Sequence, residues 1–198
     1  VGDATIPPFW FNGEDWRLRR LLHAGRGAWW VGHILKSGAL LGDKATKSNV
    51  SGLLEKAKLI HIATHGGRGS GFLALAGSSG GSGDSPIDGS EVLLLPSEVE
   101  QMNLRAALVV LSSCDSGRGT VRADGIIGMG RAFLLAGAQS VLTTLWRIPD
   151  ESAGMFMQFF YQYLVDGLGT THALQKASLS VRCFRKYSQC THWGGFQL

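Results

Sequence analysis

The chain is short of cysteine, has no long apolar run and carries no cluster of one charge. Three cysteines, at 114, 183 and 190, are too few and too odd in number for a disulfide framework. They suit a reducing compartment, so a cytoplasmic setting is expected. No uncharged apolar stretch reaches the ~20 residues that a bilayer-spanning helix needs, so no membrane span is expected. The start, "VGDATIPPFW", lacks the basic flank and apolar core of a signal peptide. It also lacks an initiator methionine, and the chain is expected to be excised from a longer protein. The net charge is +4, with 19 Lys and Arg against 15 Asp and Glu. These charges are scattered, with no basic stripe interleaved with aromatics, so a nucleic-acid partner is not expected.

What is present reads as one domain. A chain of 198 residues, 44% hydrophobic and 17% charged, can bury a genuine core. Residues 1–13 read as an extended, Pro-containing entry. From Glu14 to Lys36 the apolar pattern is helical but interrupted by Gly25 and Gly27. Thr46 is positioned to N-cap a helix carrying Val50, Leu53, Leu54 and Ala57 on one face. "AKLIHIATHGG" predicts a buried strand over 58–63, and "GFLALAG" and "VLLL" predict two more. Between those two, "SSGGSGDSPIDGS" at 78–90 is flexible, Gly/Ser-rich loop by composition. Ser97 to Glu100 reads as a capping box.

The second half alternates strand and helix. "AALVVLSS" and "SVLTTLW" predict strands, and the stretch between them predicts a helix with Ile126, Met129, Phe133 and Leu134 turned inward. Two amphipathic helices follow, with Asp150 and Thr170 as candidate caps. Such alternation implies a mostly parallel sheet covered on both faces, an α/β fold.

In open α/β sheets, sites form beyond the carboxyl ends of the strands. One predicted strand there delivers His65 and Gly66, and another delivers Cys114. A cysteine after a core strand is ordinarily an inert small hydrophobe. Cys114, however, lies past the apolar run, among Ser112, Ser113, Asp115 and Ser116. Asp115 alone would raise a thiol pKa, so a cationic partner is needed to stabilise a thiolate. His65, at a strand exit before two glycines, fits that role better than His61, which sits between Ile60 and Ile62 as a core histidine. A metal site at "HIATH" is not expected, because the two imidazoles lie roughly 13 Å apart along a strand. No second ligand cluster exists, and no cofactor is expected. "GRGSG" lacks the lysine of a Walker loop, "GIIGMG" follows no dinucleotide fingerprint, and no G-x-S-x-G elbow is present. Cys183 and Cys190 are expected to be structural.

His65 precedes Cys114 by 49 residues, the order found in caspases, where the histidine lies ~50 residues upstream. "ATK", "HIATHG", "LVVLSSCDSGRG", "GIIGMGRAFLLAGAQSVLTTLW" and "HWGGFQL" together resemble the CHAT family, caspase- and separase-like modules commonly attached to tetratricopeptide repeats. The resemblance covers residues 40–198 well and 1–39 loosely. It implies a caspase-like three-layer sandwich, a CHAT domain over 1–198, and a neighbouring repeat or other regulatory region as partner. It further implies a cysteine endopeptidase acting on protein or peptide substrates, with His65 as general base and Cys114 as nucleophile. The backbone N–H groups of Gly66 and Cys114 would then form the oxyanion hole. "TLWRIPDES" resembles the segment in which an acidic residue after Leu-Trp lines the S1 pocket. On that match Asp150 would bind a P1 Arg or Lys; the alternative is that it merely caps its helix. Trp146 is a candidate pocket wall or a core residue, and Asp115 is a further acidic candidate. A catalytically silent CHAT module acting as a protein-interaction scaffold is the competing expectation.

Overall fold

The structure, a computed structural model, describes residues 1–67, 71–78, 85–112 and 123–198. Three short strands, β1 (Gly2–Ala4), β2 (Phe9–Phe11) and β3 (Glu14–Trp16), precede helix α1 (Leu22–Ile34). In the β2–β3 hairpin Phe9 pairs with Trp16 and Phe11 with Glu14. Its turn is Asn12–Gly13, with φ of +52° and +80°, the left-handed pair that a type I′ turn demands. The helical pattern expected from Glu14 is therefore corrected: Glu14–Trp16 is strand, and the helix starts at Leu22. The helix also runs unbroken through Gly25 and Gly27. At Gly25 a Cβ would lie only 2.8 Å from that of Asp3, so this glycine lets α1 settle onto β1.

β4 (Leu41–Gly42) pairs in parallel with β1. Helix α2 (Lys47–Leu54) begins as expected after Thr46, whose Oγ1 accepts from the Asn49 N–H at 3.2 Å. Then come β5 (Leu59–Ile62), β6 (Leu73–Ala74), β7 (Ile87–Asp88), β8 (Leu93–Leu94) and the single turn α3 (Pro96–Val99). β6 and β8 are antiparallel neighbours, and β7 lies parallel to β2. Of the Gly/Ser-rich stretch, residues 79–84 lie outside the described residues, while Ile87 and Asp88 near its end belong to β7. The cap of α3 is Leu95, not Ser97, because Pro96 suits the first helical position and the Glu98 carboxylate accepts from the Leu95 N–H at 2.9 Å.

The chain ends with β9 (Leu108–Leu111), α4 (Ala123–Leu135), β10 (Val141–Thr144), α5 (Asp150–Val165), α6 (Thr170–Arg182) and β11 (Phe196–Gln197). The central sheet has the order β11-β10-β9-β5, parallel except for β11. Asp150 and Thr170 are first helical residues, and neither caps its own helix; Pro149 and Gly169 hold those positions.

Strand β9 shows why the sheet is covered twice. Leu108 and Val110 join Val31 of α1, Phe156 and Phe160 of α5 and Ala177 of α6 in one core. Val109 and Leu111 point the other way, to Leu54 of α2 and to Met129 and Phe133 of α4. Alternation on a strand buried on both sides builds helix, sheet and helix layers, a caspase-like α/β sandwich. Leu134, expected inward, is 49% exposed, since it falls on the solvent side of the helical repeat that buries Phe133.

His61 is the buried core histidine its setting suggested. Its Nδ1 lies 3.0 Å from Tyr161 Oη. Burial raises the Tyr161 pKa well above its usual value, so the phenol keeps its proton and stays a neutral hydrogen-bond partner of the ring. Burial pushes the His61 pKa from 6.5 down to about 3. The folded state therefore resists protonation that the unfolded chain accepts. Stability is full above pH 6.5 and is lost as pH falls toward 3, at about 1.4 kcal/mol per unit. Urea unfolding at pH 7 and pH 4 is expected to show a loss of about 3 kcal/mol that is absent from His61→Gln. An equal loss in both proteins would refute the assignment to His61.

Candidate active site

The register of β5 and β9 sets the site. Leu59 pairs with Leu108 and Ile62 with Leu111, and the Ser112 N–H donates to the Ile62 carbonyl at 2.9 Å. His65 and Cys114 each follow three residues after that last pair. Cys114 and Asp115 lie outside the described residues.

His65 is buried, at 2% exposure, and its surroundings hold it from two sides. Its carbonyl accepts from the Ala74 N–H at 2.9 Å, and the Gly67 N–H donates to the Phe72 carbonyl at 2.9 Å. The Thr64 hydroxyl donates to the Ala74 carbonyl. Gly66 faces Leu73 across this short ladder, but the flanking residues make the bonds, so the Gly66 N–H turns away from β6. At Gly67 a Cβ would come within 2.1 Å of the Phe72 ring, so only glycine lets Phe72 close over this loop.

On the ring side, His65 Nε2 lies 2.5 Å from the carbonyl oxygen of Arg19. A carbonyl cannot donate, so Nε2 carries the proton, and in the neutral ring Nδ1 is the basic nitrogen. The Arg19–Leu21 loop is fastened by buried Asp3. The Asp3 carboxylate accepts from Arg20 Nε at 2.8 Å, Arg20 Nη2 at 2.6 Å and the Leu21 N–H at 2.9 Å.

Asp150 accepts from the His23 N–H at 3.2 Å, in the first turn of α1. Its carboxylate thus serves a neighbouring helix rather than its own. Burial raises its pKa, opposed by His23, with Asp3 adding to the rise and His65 opposing it. Trp146 donates from Nε1 to the Thr191 carbonyl at 3.3 Å. Its ring rests against Gly195, where a Cβ would lie 2.8 Å away. Cys183 and Cys190 are exposed free thiols rather than packed ones. Among the described residues no group of three His, Cys, Asp or Glu side chains is placed to hold a metal. An apolar cavity of about 540 Å³ lies at the opposite end of β5, beside Lys58 and Leu59, away from His65.

Asp3, Arg20 and the Arg19 carbonyl were not anticipated from sequence. The contacts span 17 and 46 residues, and no local pattern announces them.

The covered sheet, with two neighbouring strand ends delivering these segments, defines a caspase-like α/β module. A family model described as the CHAT domain matches residues 12–198, and the chain belongs to that family. It is 32% identical over 227 aligned positions to tetratricopeptide repeat protein 28 of Homo sapiens, and equally to that of Mus musculus. The alignments cover 100% of this chain but 9% of each relative. Among the described residues no helix is long and apolar enough to cross a membrane.

Proposed function

We propose that this domain is a cysteine endopeptidase that cleaves after Arg or Lys. The observation that carries the reading is the β5–β9 register, in which the Ile62–Leu111 pair is followed three residues later in sequence by His65 on one segment and Cys114 on the other. In the proposed reaction His65 Nδ1 takes the thiol proton and Cys114 Sγ attacks the scissile carbonyl. The carbonyl π electrons move onto oxygen, where the N–H groups of Gly66 and Cys114 stabilise the charge. The tetrahedral intermediate then collapses as the C–N bond breaks and His65 protonates the leaving amine. Water hydrolyses the thioester, with His65 again as base. The outward turn of the Gly66 N–H and the basic Nδ1 of His65 support these roles.

Asp150 is the proposed partner of the P1 cation, with Trp146 as a wall of the S1 pocket and Asp115 as a further acidic contact. An incoming guanidinium would find a carboxylate already partly desolvated, where a charge-assisted bond is strong. The raised Asp150 pKa gives the test its sign. A folded-state value above the usual 3.8 means that ionised Asp150 costs stability at neutral pH, a cost that disappears as pH falls through the raised value. Asp150→Asn retains an acceptor for the His23 N–H and removes the charge. Cleaved bonds from a diverse peptide library are expected to follow Arg or Lys for the wild type. The variant is expected to lose kcat/KM on Arg substrates roughly 100-fold, with a melting temperature at pH 7 no lower than wild type. Unchanged Arg preference would remove Asp150 from S1.

A second reading, a silent docking module, has its own observation. Leu22 and Trp29 on α1 are 64% and 58% exposed and line an open groove of about 1000 Å³ with Asp3, Arg20, Arg26 and Asp43. A wild type that cleaves nothing in the library would transfer the assignment to this surface. In either reading a repeat region elsewhere on a longer polypeptide is the proposed partner.

A further inference from the structure

We infer that Asp3 is a positioning residue for His65, acting through the Arg19 carbonyl; this rests on His65 being the general base proposed above. Asp3 is joined to both sides of the imidazole. Its backbone N–H donates to the Ala63 carbonyl at 3.3 Å, two residues before His65 on the same segment. Its carboxylate grips the segment that presents the Arg19 carbonyl, through three donors on Arg20 and Leu21. One aspartate therefore sets the spacing between the ring and the carbonyl that orients it.

The conformation of Asp3 fits this task. Its φ is +46°, in the left-handed region that an aspartate occupies only when its surroundings hold it there. Gly2 and Gly25 hold it from the backbone side. A Cβ on Gly2 would lie 2.6 Å from Ala28 Cβ, and one on Gly25 2.8 Å from Asp3 Cβ, so β1 and the first turns of α1 are in direct contact. The grip is bidentate and charge-assisted, the geometry that best fixes a guanidinium to a carboxylate. The Arg20 side chain is itself 53% exposed, so its contribution lies in direction more than in stability.

Loss of the grip frees the Arg19 carbonyl, and the Nε2 proton loses its anchor. The neutral imidazole then divides between its two tautomers, and the fraction with a basic Nδ1 falls. Removing this second partner of a base costs orientation rather than binding, so kcat is expected to fall ~10- to 100-fold with KM little changed.

The test compares Asp3→Asn, Arg20→Gln and Arg20→Lys by long-range ¹H–¹⁵N correlation of the His65 ring, alongside peptide kinetics. Wild type is expected to show one Nε2–H tautomer. Asp3→Asn and Arg20→Gln are expected to show a mixture, with partial recovery in Arg20→Lys, which keeps one charged donor. A single unchanged tautomer in folded Asp3→Asn overturns the inference. Should Asp3→Asn fail to fold, an unchanged tautomer in Arg20→Gln overturns it, because that exposed substitution leaves the Leu21 N–H bond in place. The spectra need no turnover. A tautomer shift in a protein that cleaves no peptide would uphold the positioning role while refuting the peptidase.

Discussion

Cys114→Ala is expected to lower kcat/KM on an Arg-P1 peptide by at least ~10⁴-fold while leaving the melting temperature unchanged. The size of the loss follows from the chemistry. Without the sulfur no acyl-enzyme can form, and water must attack the carbonyl directly with only binding and oxyanion donors to assist. Cys114→Ser is expected to be nearly as inactive, because an imidazole deprotonates an alcohol far less readily than a thiol. Folding is expected to survive because β9 makes its core contacts through Leu108 to Leu111, before the cysteine is reached. The two exposed thiols provide a control. Cys183→Ser and Cys190→Ser are expected to retain full activity and to leave iodoacetamide inactivation intact. Wild type and Cys114→Ala equally inert across a diverse library would replace the peptidase with the docking module.

The largest stability effect is expected at Phe156. This side chain is fully buried and stacks on Phe196 with ring centroids 3.6 Å apart and on Phe160 at 6.4 Å. Phe156→Ala removes a ring from the point where α5 meets β11 and leaves a cavity that the flanking aromatics fill only in part. The expected cost is about 4 kcal/mol, or roughly 10 °C in melting temperature for a chain of this length. β11 is the antiparallel edge of the central sheet, and the Leu145 N–H donates to the neighbouring Gly195 carbonyl at 2.7 Å. Loss of the ring is therefore expected to expose the last residues to protease before the rest of the domain opens. Phe184→Ala, at a position 44% exposed, is expected to cost less than about 1 kcal/mol. Equal effects at the two positions would show that the Phe156 stack carries little of the stability.

The parts of this molecule legible in sequence are those written locally. β5 and β9 are continuous apolar runs, and Thr46 caps its helix with its own hydroxyl. The Asn12–Gly13 turn was also written locally, between aromatic residues, but the helical spacing of the leucines beyond it obscured the signal. Gly25 misled for a different reason: its cost to α1 is offset by a contact with Asp3, 22 positions away in the sequence. Asp150 shows the same limit. Its position before an amphipathic run suggested a cap, whereas its carboxylate reaches the His23 N–H across 127 residues. At the candidate site, the ends of β5 and β9 that His65 and Cys114 follow in sequence could be read from the apolar runs. The Asp3–Arg20–Arg19 support could not, because every bond in it joins segments that only the fold brings together.

The alternation along β9 has an evolutionary consequence. Four consecutive residues serve two cores, so the strand tolerates little change, and a one-residue insertion would exchange its two faces. His65 and Cys114 each follow the last register pair by three residues in sequence, outside β5 and β9 themselves. A single codon change at either position could abolish the proposed chemistry and leave the architecture intact for selection to reuse. Descent within such a lineage can therefore separate ancestry from activity, and lineages that kept the scaffold need not have kept the reaction.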